Sequence, residues 1–452
     1  MVPSRFAVTA ARALCVLGVI VAAQDVAAQA QQPAAPPEHV HPAPPGTEGA
    51  ATQVHQHSTT GASLFSTREA SGTAWLPDAT PMNGLHRQAR GWEVMVHGNA
   101  YLQILHESAP EHRGQTQGGS INWGMVMARR PLGQGWVGLR TMMSLEALTI
   151  PGCGYPNLLQ TGEICDGDSI HDKQHPHDLF MEIAAEFDRP LSSSLRWRVY
   201  GGLAGEPALG PSGFPHRVSA IVNPISPITH HWLDATHITF GLITAGVYGS
   251  RWKAETSVFN GREPDEERFN LDLAPLDSVA VRLSFLPTST VAVQMSAGHL
   301  NDAELPHPGG IPADVVRVTS SVTYHRRVGE ANLWATTAAW GANHEVGVTT
   351  HGLMLESSLS LRERHAFFGR AEVNGKPAHD LHVHESTGVF TVGKVQGGYI
   401  RYFSVRRGVQ PGVGGTMSAA LVPRALQPRY GGVGVGVGAF LTLRPAAHQM
   451  AP

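Results

Sequence analysis

From Trp92 onward the chain alternates apolar and polar residues with a period of two, the spacing of a strand that turns one face to an apolar medium. Trp92, Val94, Val96, Ala100, Leu102 and Ile104 share one parity, while Glu93, His97, Asn99 and Gln103 occupy the other. The pattern returns at Val137, Leu139, Met143 and Leu145 against Arg140, Ser144 and Glu146. It returns again at Leu179, Met181, Ile183, Ala185 and Phe187 against Glu182, Glu186 and Asp188. Further on, Val279, Val281, Leu283 and Phe285 bracket Arg282, Val316, Val318 and Val322 bracket Arg317, and Leu353, Leu355, Leu359 and Leu361 bracket Glu356.

The connections between these segments alternate in length. Short turns at 130–133, 188–190, 249–250, 287–289, 326–329, 362–364 and 406–408 interleave with longer links at 107–117, 151–176, 206–235, 262–276, 301–314, 343–351, 376–387 and 423–430. Short turns on one side and long loops on the other predict an all-β, antiparallel up-and-down transmembrane barrel over residues 91–444, with about sixteen strands. Fourteen is the alternative, because glycines after Gly388 blur the parity. Residues 433–443 are the expected closing strand, although the chain runs on through a tail at 445–452 where such barrels commonly stop on an aromatic residue read by the assembly machinery.

The first thirty residues differ in kind. Arg5 and Arg12 frame an apolar run at 13–23 that ends in Ala28-Gln29-Ala30, which predicts a secretory signal peptide over 1–30. The run is too short for a spanning helix, which needs about 20 residues. Residues 31–90, rich in Pro, Ala, Gly, Gln and Thr, predict a flexible periplasmic segment carrying His39, His41, His55 and His57. A net charge of −3 offers no reason to expect nucleic acid, and a charged fraction of 15% calls for apolar surroundings. Cys153 and Cys165, in a Gly-, Asn- and Asp-rich loop, suggest a disulfide in an oxidising compartment, a thiolate metal pair normally having closer spacing.

Parity places Glu182, Glu186, Arg196, Arg198, Arg282, Arg317 and Glu356 toward the lumen, with Arg140, Glu146, Lys253, Glu255, Arg370 and Glu372. Interleaved signs suit either a network that holds the barrel round or a narrowed, selective ion path. Two histidine groups stand at the long-loop side: His171, Asp172, His175, His177 and Asp178, then His230, His231 and His237. Their N and O donors suit Zn, Cu or Ni and could converge over the barrel mouth. Alternatively they hydrogen-bond and cap the loops as a folded plug. The acidic run 263–267 and the His-rich run 379–384 read as solvated loop tips.

The stretch from His171 to Asp178 and on to Glu182, with Gly205-Glu206-Pro207-Ala208-Leu209-Gly210-Pro211, His230 to Phe240, and Phe259-Asn260-Gly261-Arg262-Glu263-Pro264-Asp265, resembles a family of largely uncharacterised, porin-like bacterial outer-membrane β-barrel proteins. The resemblance implies the barrel and its compartment, and a loose association with heavy-metal handling. The expected function is therefore a channel or transport-linked barrel. Its partners are outer-membrane lipid, the barrel-assembly machinery and a small solute or metal ion, with Zn or Cu as the possible cofactor. A metal-binding resistance protein is the alternative. A hydrolase is the weaker reading, since His57-Ser58 lies in the tail and no Gly-x-Ser-x-Gly elbow occurs.

Overall fold

A computed structural model describes residues 63–110, 113–161, 163–165, 168–304, 312–329, 331–383 and 385–446. The signal peptide, His39, His41, His55, His57 and His384 lie outside the described residues. Sixteen strands follow in order: β1 (Trp92–Ser108), β2 (Gln115–Leu132), β3 (Gly135–Met143), β4 (Phe180–Pro190), β5 (Arg196–Ala204), β6 (Leu242–Tyr248), β7 (Trp252–Phe259) and β8 (Ser278–Thr288). Then come β9 (Val291–Glu304), β10 (Ala313–Arg327), β11 (Leu333–Glu345), β12 (Val348–Leu361), β13 (His365–Pro377), β14 (Val389–Tyr402), β15 (Val409–Leu421) and β16 (Val433–Pro445). Each pairs antiparallel with the next, and β16 closes on β1, with Leu443 opposite Ala100 and Val435 opposite Ser108. The count is sixteen, not fourteen.

Closure leaves no strand edge, so every strand can satisfy its backbone inside lipid. The outward parity is predominantly apolar: Leu283, Met295, Leu355 and Met417 are all more than half exposed. Water would penalise so extended an apolar belt, and lipid would not. This is an outer-membrane barrel.

Glycine explains the blurred parity near the C-terminus. A Cβ on Gly398 would lie 2.1 Å from the Phe368 ring, and one on Gly414 2.5 Å from the Phe440 ring. These glycines let inward aromatic rings lie flat against the wall.

Four expectations change. The link expected at 343–351 is a two-residue turn, Val346-Gly347, with φ of 45° and 78°, the left-handed pair of a tight hairpin. Glu146 is on a four-residue helix, Glu146–Thr149, instead of extending β3. Met181, expected toward lipid, is 2% exposed, because the pairing of β3 with β4 shifts register between Met142 and Met143. That bulge turns both Met181 and Glu182 inward. Finally, residues 63–89, expected as part of a flexible segment, fold against the barrel. Phe65, Ala74 and Leu76 are buried, and a short strand, Leu85–Ala89, pairs with β1 below the point where β16 does.

Candidate functional site

Sixteen strands make a barrel wide enough to leave an aqueous lumen. Residues 63–84 and 205–241 enter it here, and part of the loop before β4 packs against the wall and the second of them, with Lys394 donating to Asn157 at 2.9 Å and Ser226 N–H to the Tyr155 hydroxyl at 3.0 Å. The first is held by charge. Glu69 accepts from Arg129 and Arg198 at 2.5 Å each, Gly72 O accepts from Arg140 at 2.7 Å, and Thr73 takes Arg282 on its hydroxyl at 2.8 Å and Lys253 on its carbonyl. Burial raises the Glu69 carboxyl, but the two guanidinium groups override it and hold the group well below the usual carboxylate range.

The second segment combines charge with apolar packing. Arg217 meets Glu356 at 2.5 Å and Asp234 at 2.7 Å, and Arg370 meets Glu356 at 3.0 Å. Wall side chains also satisfy the segment's backbone. Arg370 donates to Ile225 O, Asn374 to Ile228 O and Asn343 to His231 O, at 2.8 to 3.1 Å. Leu209, Val222, Ile225, Ile228, Trp232 and Leu233 are all at most 3% exposed. In the lumen, three cavities of about 10 to 20 Å³ are lined by described residues, each with room for about one water.

The expected lumen residues face inward. Glu182 pairs with Arg140 at 2.9 Å and Glu186 with Arg129 at 2.5 Å, whereas Arg196 takes Asp188 at 2.5 Å and Arg198 reaches Glu69. Arg282 pairs with Glu255 at 3.2 Å, and Arg317 donates to Asn343 at 2.9 Å. Sequence reasoning missed Glu69 and Arg217, which sit in segments read as tail and external loop.

The two histidine groups do converge, but inside the barrel. His177 Nε2 lies 3.2 Å from His237 Nε2, and the His230 ring is 4.9 Å from that of His237. His177 Nδ1 meets Glu146 at 2.8 Å and His230 Nδ1 meets Asp234 at 2.8 Å. Phe214 packs against His177, His230 and His237. Burial depresses His177, but Glu146 outweighs it and the net shift is upward. Burial lowers His230 and, reinforced by its imidazole neighbours, puts His237 well below the ordinary value.

The remaining candidates are dispersed. Asp172 is paired with Arg113 at 2.7 Å, His171 stacks on His382, Asp178 faces Arg268 at 3.5 Å, and His231 faces Glu263 at 3.2 Å. His175 packs edge-on to His177 at 6.4 Å. Among the described residues no three of His, Cys, Asp and Glu are grouped so as to hold a metal ion. Cys153 and Cys165 form the expected disulfide. Glu266 and Glu267 are exposed tips as expected, whereas Asp380, Leu381 and Val383 are buried.

No family model and no curated protein matches the sequence. Similar solved structures include an anion-selective porin from Comamonas acidovorans at 11% identity, covering 78% of this chain and 99% of that one, with a TM-score of 0.47. OmpF of Salmonella typhi, in complex with daunomycin, is similar at 8% identity over 79% of this chain and 100% of that one, with a TM-score of 0.49. The outer-membrane channel DcaP of Acinetobacter baumannii is similar at 10% identity over 80% and 100%, with a TM-score of 0.42. The barrel described above stands on its own strand pairing.

Proposed function

We propose that this protein is a non-enzymatic outer-membrane conduit for small polar or charged solutes, closed at rest by its two inserted segments. The carrying observation is the way residues 69–73 are held, by side chains of Arg129, Arg140, Arg198, Lys253 and Arg282 on the wall. An interface built from ions and backbone carbonyls can be rehydrated when the segment leaves, whereas a dry apolar core resists water. A withdrawn segment would leave a lumen lined by both signs of charge. Lipid contact along the apolar belt and insertion by the barrel-assembly machinery belong to the same reading.

Planar-bilayer recording on the full chain and on a variant lacking residues 63–84 tests it. The deletion should raise conductance and open time while the barrel keeps its faster migration on unheated gels. A folded deletion variant that conducts no better than the full chain would remove the reading.

A second reading, Zn or Cu capture by the loop histidines, is supported by the 3.2 Å contact between His177 and His237. Calorimetric titration with Zn at neutral pH should then show saturable binding that His177→Ala abolishes; no saturable heat returns these rings to loop packing.

A further inference from the structure

One rung of the lumen wall is rich in sulfur. On adjacent strands His97 stands opposite Met125, and Met125 opposite Met142. The bulge in β4 then brings Met181 into the same interior cluster. Above this rung the inserted segment places His216, its ring 5.4 Å from that of His97, with Trp123 packed against both at 5.4 and 4.7 Å. The Nε2 atoms of His97 and His216 are both buried and have no hydrogen-bond partner. A cavity of about 10 Å³ opens beside His216, lined by it together with Met142, Met181, Glu182, Glu206 and His237.

Methionine is a common gap-filler, and packing alone accounts for thioethers in a core. It does not account for two orphaned imidazole nitrogens, each of which costs free energy when left without a partner. A ligand that accepts their lone pairs would repair both. Among the described residues no three of His, Cys, Asp and Glu are placed to hold a metal ion by themselves, but thioethers extend the donor set to soft ions.

We propose that the lumen holds a site for a soft monovalent metal ion, Cu(I) or Ag(I), ligated by His97, His216 and the thioethers of Met142 and Met181. The site joins the wall to the segment 205–241, so the bound ion clamps the inserted segment to β1, β3 and β4. It stands apart from the conduit reading, because the site can be filled whether or not the lumen ever opens. It also differs from the His177–His237 contact in its preference for soft ions.

The test is Ag(I) retention by the full-length refolded barrel, in chloride- and thiol-free buffer, measured by calorimetry and by metal analysis after desalting. The expected result is a tight Ag(I) site whose affinity falls by about tenfold or more in His97→Phe, in His216→Phe and in the double variant Met142→Leu/Met181→Leu. The same variants should leave Zn titrations unchanged. Leucine conserves volume and apolarity, so the double variant keeps the test decisive if a ring replacement fails to fold. Absence of retained Ag(I) in the intact protein would overturn the proposal, as would equal stoichiometry and affinity in a folded Met142→Leu/Met181→Leu variant.

Discussion

Two of the segments that fill the lumen are held in different ways. Residues 63–84 rest mainly on charged and carbonyl contacts gathered around Glu69 and Thr73. Residues 205–241 add to their own ion pairs a run of buried aliphatic side chains and backbone carbonyls received by Arg370, Asn374 and Asn343. Charge contacts exchange for water at little net gain or loss, while buried apolar area is lost outright on withdrawal. On the proposed reading the first segment, which buries fewer aliphatic side chains, is the more readily withdrawn and the second the more firmly anchored. They touch where Gly72 meets the backbone of Glu206: a Cβ there would sit 2.7 Å from Glu206 O, and Gly72 has φ of +52°.

The largest effect that bears on this contrast is expected at Arg217. Arg217→Ala removes the guanidinium shared by Glu356 and Asp234, leaving Glu356 with Arg370 and Asp234 with His230 in the interior, and should cost about 3 kcal/mol of barrel stability. Denaturant unfolding in detergent, followed by the gel shift between folded and unfolded barrel, measures it. A loss under about 1 kcal/mol would mean that apolar packing alone anchors the second segment.

Glu69→Gln comes next, at about 1.5 to 3 kcal/mol for weakening two charged hydrogen bonds. Its main signature should be release: faster proteolysis within residues 63–84, with the segment 205–241 as protected as before. Equal protection of both segments in the variant would erase the distinction between movable and anchored.

Gly341→Ala probes the anchored segment from the wall. Its Cβ would fall 2.0 Å from Trp232 O, so the strand or the segment must shift, at about 1 to 3 kcal/mol. Hydrogen exchange should increase over 229–237 and stay unchanged over 63–84. Exchange confined to β11 would show that the wall yields instead.

The smallest effect is that of pH. His230 and His237 titrate lower in the folded protein than in the unfolded chain, so below the ordinary histidine value of 6.5 the unfolded chain binds protons that the folded one refuses. Stability from these two rings is present above pH 6.5 and is lost as pH falls toward their folded values. His177 runs the other way: its contribution is complete below pH 6.5 and is lost as pH rises through its raised value. The rate at which a cysteine placed at Ala235 reacts with an aqueous maleimide, divided by that of a fully exposed thiol at the same pH to remove the thiolate dependence, should accordingly be higher at pH 5 than at pH 7. His237→Phe should flatten the difference, and a pH-independent ratio in the parent would count against loosening by acid.

Much of the barrel was legible because strand parity is a local property. Leu283 and Arg282 face opposite sides whatever the rest of the chain does, and the alternation of short and long links counts strands without knowing their partners. The mixed-sign lumen and the disulfide followed from the same local rules. The convergence of His177 with His230 and His237 was also visible, as two groups at one end of adjacent hairpins.

What the chain alone did not disclose is where its irregular segments go. Residues 205–241 carry few charges for a link that was read as external, and that scarcity is the one signal that it avoids water. Residues 63–84 look like a tail because their apolar residues, Phe65, Trp75 and Leu76, follow no period, yet a wall of arginines gives their carbonyls partners. Met181 pointed outward by parity until a bulge, set by how β3 and β4 meet, reversed it. Local alternation determined the strands, their faces and the apolar belt, since each depends on neighbours two residues away. Only the tertiary structure decided what fills the lumen, because many of the contacts that hold it join residues far apart in the chain, sixty positions for Glu69 and Arg129 and 139 for Arg217 and Glu356, which no local pattern reports.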